Sequence, residues 1–205
     1  MKRKIYQQLL DWKEKRHGET ALLVEGARRI GKSYIVEEFG RNEYESYILI
    51  DFNKAPQMVR EWFDLYLEDL DILFLYLSQH YRVRLHERKS LIILDEIQLC
   101  PRARAAIKFL VADGRYDYIE TGSLVSIKKN TQGIVLPSEE RSISMYPMDF
   151  EEFLYANGVG KVAIDAMRDC FNNNQALSVT IHEKMMDLFK KYLLVGGQML
   201  KQFVY

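Results

Sequence analysis

The sequence predicts an α/β fold with a mainly parallel sheet, and three observations carry that reading. Apolar runs with strand character alternate with stretches of helical period from Ala21 to Tyr146. The clearest run, "LIILDE" at Leu91–Glu96, opens with four apolar residues and no alternation, as a strand covered on both faces requires. After Tyr146 only helical patterns remain, so helices are expected to follow the sheet rather than extend it.

The elements follow in order. Ile5, Leu9 and Trp12 have helical spacing within Ile5–Lys15, and Gly18 breaks the pattern. Ala21–Val24 reads as a short buried strand and Lys32–Phe39 as a helix. "YILIDF" at Tyr47–Phe52 is a second strand. Helical patterns occupy Met58–Tyr66 and Ile72–Tyr81 ahead of Leu91–Glu96. Arg104–Ala112 is a helix, Tyr116–Thr121 a fourth strand and Ser142–Tyr146 a fifth. Three helices are expected at Phe150–Tyr155, Val162–Phe171 and Ile181–Leu194. "NTQGIVLPSEERS" is the most loop-like stretch and is expected to be mobile.

Composition bounds the function. The chain has 205 residues, 48% of them apolar, enough for one sizeable core. Lysines and arginines number 29, as do the acidic residues, so net charge gives no argument for nucleic acid or an anionic membrane. Cys100 and Cys170 lack paired-ligand spacing and read as free thiols of a reducing compartment. No apolar run reaches the roughly 18 residues of a membrane span, and the basic start lacks a signal-peptide core. A soluble, cytoplasmic protein is expected.

The chemistry concentrates in "LLVEGARRIGKSYIVEEFG", Leu22–Gly40. It fits G-x-x-x-x-G-K-[ST] with Gly26, Gly31, Lys32 and Ser33, after a strand and before a helix. Glycines let the backbone curl so that successive N–H groups can face phosphate oxygens. The helix N-terminus adds its positive end. Lys32 is expected on the outer phosphates and Ser33 on Mg2+. The nucleotide-binding segment is thus Gly26, Ala27, Arg28, Arg29, Ile30, Gly31, Lys32, Ser33 and Tyr34. The end of "LIILDE" supplies the acidic partners: Asp95 to hold Mg2+ through water, Glu96 to polarise an attacking water. "ETGSL" ends the fourth strand, and Thr121 and Ser123 are candidates for holding that water or sensing the phosphate; simple turn or cap chemistry is the alternative. Arg28 and Arg29 are not required by the pattern. Both are solvated or paired with Glu25, Glu120 or Asp95, or else one enters the cleft and pairs with the Asp95–Glu96 carboxylates or a partner when ATP is absent.

Taken in order, "YQQLLDWK", "GARRIGKS", "LIILDEIQ", "TGSL", "RSISMYPMDFEEFL" and "YLLVGG" make the chain resemble prokaryotic ATPases of the AAA+ superfamily, from about Ile5 to Gly197. In that family a restriction-endonuclease-like domain of unassigned role usually follows the ATPase core. The resemblance implies a P-loop NTPase three-layer sandwich with sheet order 5-1-4-3-2 and ATP at the C-terminal strand ends. It implies Walker A at Gly26, Gly31, Lys32 and Ser33, Walker B at Asp95 and Glu96, and a first sensor at Thr121–Ser123, with Ser123 favoured. Relatives often carry glycine–arginine before the fifth strand. Here Glu140 replaces the glycine and Arg141 keeps the arginine, which could reach a phosphate of its own or a neighbouring subunit's site. Relatives also continue past "YLLVGG", so the resemblance implies a core at residues 1–150 and a helical extension at 151–205 that stops short of the usual C-terminal domain.

Two functions compete at this point. One is a Mg2+-dependent ATPase using Glu96, Lys32, Ser123 and Arg141. The other is a nucleotide-gated interaction module with negligible hydrolysis. A kinase for a small acceptor is a distant third. The GTPase pattern N-K-x-D fails at Asn53–Lys54, which Ala55 and Pro56 follow, and His182 lacks the second histidine of a zinc motif. Arg102, Arg104, Lys108, Lys128 and Lys129 form either a solvated face or a nucleic-acid contact. Protein or nucleic-acid partners and oligomerisation stay open.

Overall fold

The computed structural model describes residues 3–16, 18–123 and 139–196. Its strands are β1 (Ala21–Gly26), β2 (Ser46–Asp51), β3 (Ser90–Asp95), β4 (Asp117–Ser123) and β5 (Glu140–Met145). They form one parallel sheet in the order β2-β3-β4-β1-β5, which is the expected 5-1-4-3-2 read from the other edge. The helices are α1 (Ile5–Arg16), α2 (Lys32–Glu43), α3 (Gln57–Leu65), α4 (Leu70–Tyr81), α5 (Pro101–Asp113), α6 (Phe150–Ala156), α7 (Lys161–Asn172) and α8 (Val179–Val195).

The unbroken apolar run of β3 has the predicted cause: all six of its residues are buried, because helices cover both sheet faces. On one face Leu23, Ile50, Ile92, Leu94 and Tyr118 pack with Trp62 and Phe63 of α3, Leu73 and Leu77 of α4, and Ile107 and Leu110 of α5. Each such side chain contributes on the order of 2 kcal/mol by leaving water. On the other face α2 comes close enough at Gly40 that an added Cβ would lie 3.2 Å from Tyr47 Cβ and 3.3 Å from Leu91 Cδ2. Phe39 of α2 meets Tyr6 of α1 edge to face at 5.5 Å.

Several boundaries differ from the sequence reading. β5 begins at Glu140 rather than Ser142, because Glu140 and Arg141 pair through their backbones with Ala21 and Leu22 of β1. Polar side chains are no obstacle on a strand whose face is partly open. The last residues of the supposed loop therefore belong to a strand, and residues 130–138 of it lie outside the described residues. α5 begins at Pro101, where a fixed φ and a missing N–H suit a first helical turn. A 3-10 turn at Ile97–Leu99 is too short to show a period.

The described chain packs as two units. One holds Tyr6–Arg28 and Lys32–Met145, with the sheet. The other holds Met1–Ile5, Arg29–Gly31 and Tyr146–Tyr205 over their described residues. Residues 3–5 and 29–31 thus group with the late helices, where the sequence reading placed them in the core. In this second unit Met148, Phe153, Leu154, Val159, Ile164 and Leu188 form a small core. Asp149 starts α6 with a reciprocal cap: its carboxylate accepts from Glu152 N, and Glu152 Oε2 accepts from Asp149 N at 3.1 Å.

Candidate nucleotide site

Parallel strands deliver their C-terminal ends to one edge of the sheet. Register puts Gly26 of β1 beside Ser123 of β4, and Asp51 of β2 beside Asp95 of β3. The loop after β1 and the carboxylates after β3 therefore share one end, where open α/β sheets hold their ligands.

The loop backbone explains its glycine. Gly31 has φ 92°, a region costly for other residues. Arg29 has φ 64°, and Glu96 has φ 56°, both left-handed at non-glycine positions that cost roughly 1–2 kcal/mol each. Two such conformations on the two segments predicted to carry the chemistry are a sign of geometry held for a purpose.

Lys32 opens α2 and is 5% exposed. Its ammonium donates to Gly26 O at 3.2 Å and Ala27 O at 2.8 Å. Two of its three protons are thereby used, and one is left for a further acceptor. Burial lowers the Lys32 pKa, against the raising effect of the Glu96 and Asp95 carboxylates, and Arg28 lowers it further.

Ser33 Oγ donates to Asp95 Oδ1 at 2.8 Å, and Thr121 Oγ1 donates to the same oxygen. Burial pushes the Asp95 carboxyl above its usual value; the two hydroxyl bonds work the other way. Glu96 N donates to Thr121 Oγ1 at 3.2 Å, and Gln98 Nε2 donates to Glu96 Oε2. Among the described residues neither Asp95 nor Glu96 makes an ion pair. Among the described residues no ion pair joins Arg28 to either carboxylate.

The other candidates separate. Thr121 is bound into the Asp95–Glu96 corner, its hydroxyl donating to the Asp95 carboxylate and accepting from the Glu96 backbone N–H. Ser123 differs: its Oγ is buried with no hydrogen-bond partner among the described residues, one strand from Gly26. Ala27, Arg28 and Tyr34 are exposed, and Ile30 is buried. Arg141 pairs with Leu22, whereas the loop follows Gly26 four residues on. That is roughly 13 Å at strand rise, beyond an arginine side chain, so the expectation that it reaches its own chain's phosphates does not fit. It lines a cleft of about 470 Å³ with Trp12, Lys15 and Arg16 instead.

The proposed nucleic-acid face loses a member as well. Arg104 is 1% exposed and bonds Glu140 at 3.0 and 3.1 Å, so it is neither solvated nor available to a phosphate. Arg102 pairs with Asp64, and Lys128 and Lys129 lie outside the described residues. Both cysteines are free. No described helix is long and apolar enough to cross a membrane. Sequence reasoning missed Gln98, whose only signal was its place two residues after Glu96.

The residues fit a magnesium nucleotide on this chain's own geometry: an unpartnered buried hydroxyl, a serine–aspartate oxygen pair and an ammonium with a proton to give. Among solved structures, the Aeropyrum pernix Orc1 protein in complex with DNA is similar, with a TM-score of 0.47 and 14% identity over 75% of this chain and 48% of that one. The chain thus spans about half the length of that protein. No curated protein matches the sequence. A family model described as an AAA domain matches residues 18–154, more than half of the chain. The chain therefore belongs to the AAA domain family and is an ATP-binding P-loop protein of the AAA+ type.

Proposed function

We propose that the chain is a Mg2+-dependent ATPase, with the triphosphate in the Gly26–Ser33 loop. The observation that carries this is the 2.8 Å bond between Ser33 Oγ and Asp95 Oδ1. It joins the two oxygens that would hold the cation, one directly and one through water. Mg2+ held by Ser33 and Asp95 would supply charge neutralisation to the triphosphate. Lys32 would donate the hydrogen bond of its third N–H to a phosphate oxygen, and Gly31 would offer its amide. Ser123 Oγ gives its hydrogen bond to the γ-phosphate or the water beside it. Glu96 orients that water and takes its proton. The proposed organisation is an ATPase core at 1–150 followed by a helical extension.

One observation favours the second reading, a nucleotide-gated module with negligible turnover. The Gln98 amide occupies Glu96 Oε2, so water competes for that oxygen. Phosphate release from wild-type protein separates the two readings.

The test of the site itself is calorimetry with ATP and Mg2+. Lys32→Ala removes a charged hydrogen bond worth on the order of 1.5–3 kcal/mol, about 10- to 100-fold in affinity. Equal affinities of mutant and wild type would remove the phosphate site.

A further inference from the structure

Arg3 precedes the first helix, and nothing in the sequence singles it out. Its side chain is buried, and three of its nitrogens donate to three separate groups. Nε reaches Glu152 Oε1 at 3.2 Å, Nη1 reaches Ile30 O at 3.1 Å, and Nη2 reaches Tyr146 O at 2.7 Å. Glu152 is itself fixed. Its Oε1 also accepts from Lys4 N at 2.7 Å, and its Oε2 closes the Asp149 cap. Lys4 Nζ in turn pairs with Asp149 at 2.6 Å. A planar guanidinium held by a locked carboxylate has one orientation left.

We propose that Arg3 is a positioning residue for the phosphate loop, acting through the peptide between Ile30 and Gly31. This rests on the reading of Gly26–Ser33 as the triphosphate site. In a trans peptide the C=O and the next N–H point opposite ways. Gripping Ile30 O therefore aims Gly31 N–H away from Arg3. Glycine tolerates either orientation of the preceding peptide plane, so a loop with Gly31 at φ 92° needs an outside contact to choose one. The guanidinium supplies that contact, and its charge polarises the amide into a better donor. Arg3 also fixes Tyr146 O and Glu152, so the same group ties the loop peptide to the start of α6.

The test uses Arg3→Ala and Arg3→Lys in the full chain, with two readouts. ATP–Mg2+ affinity should fall about tenfold in Arg3→Ala, since an unaimed amide must be ordered on binding. Arg3→Lys should recover part of it, because an ammonium keeps the charge without the fixed three-way fork. The backbone 15N–1H signal of Gly31 without nucleotide, which reports the orientation of its peptide, should shift or broaden in both, while those of β3 stay unchanged. A merely structural arginine would lower the melting temperature without moving either readout at 20 °C below it. If Arg3→Ala fails to fold, Arg3→Lys decides. An unchanged Gly31 signal in a folded variant overturns the proposal, as does unchanged affinity where wild type binds. If wild type binds no ATP, the nucleotide reading fails, and the Gly31 signal still judges Arg3.

Discussion

The two ends of the sheet hold their buried charges differently. At the N-terminal strand ends Asp117 and Glu140 each accept from an arginine. Asp117 of β4 accepts from Arg88 at 3.1 Å and Tyr44 at 2.7 Å, and Glu140 of β5 accepts from Arg104 at 3.0 and 3.1 Å. At the C-terminal ends Asp95 has two hydroxyls, and Glu96 has an amide. Neutral donors satisfy the geometry of a carboxylate without neutralising it. The first arrangement sets charge against charge inside the protein and serves the fold. In the second no cation bonds the carboxylates directly, and the Lys32 ammonium acts on them only at a distance, which is the electrostatic form of a cation site.

The contrast breaks most sharply at Arg104. Replacing it with alanine leaves Glu140 buried beside Glu120 with no cation, and breaking a buried pair from one side costs about 3–5 kcal/mol. Urea denaturation should show that loss. A cost under about 1 kcal/mol would mean that this end of the sheet is not held by its ion pair.

The C-terminal end should answer in the opposite way. Glu96→Gln removes the carboxylate that takes the proton and keeps the shape that accepts from Gln98. Phosphate release should fall at least about 100-fold, the usual scale for losing a general base, with ATP affinity and urea midpoint near wild type. Wild-type turnover in this variant would shift the reading to the nucleotide-gated module.

Legibility followed the same division. The loop from Gly26 to Ser33 and the Asp95–Glu96 corner were readable because their logic is local: a few residues, fixed spacing, a strand before and a helix after. The sheet order came only through the family resemblance, since pairing of β1 with β4 and β5 joins residues about 100 apart or more. Arg104 misled because its position on a helix with other cations looks solvated; its partner lies 36 residues away. Arg3 was invisible, with partners 27, 143 and 149 residues distant. Glu120 read as part of a strand end, yet the strand runs on to Ser123 and leaves it wholly buried.

That residue gives the finest test of the comparison. Glu120 is 0% exposed, and burial pushes its carboxyl well above the ordinary 4.5; the Glu140 carboxylate adds to the rise, and Arg104 opposes it. The sign follows from linkage. Below about pH 4.5 folded and unfolded chains both hold this proton, so there is no penalty. Above it the unfolded chain releases the proton while the folded one keeps it. Stability is then lost as pH rises, by at most 1.36 kcal/mol per pH unit, until the folded value is passed. Glu120→Gln cannot ionise and escapes that loss. Its stability relative to wild type, from urea denaturation at pH 5, 6.5 and 8, should therefore improve steadily as pH rises. Titrating groups that do not face Glu120, Asp95 among them, cancel in the mutant–wild-type difference at each pH. A difference independent of pH would show Glu120 ionised in the fold and sharing Arg104 with Glu140. The N-terminal end would then hold two anions on one cation, and the contrast with Asp95 would rest on Asp117 and Arg88 alone.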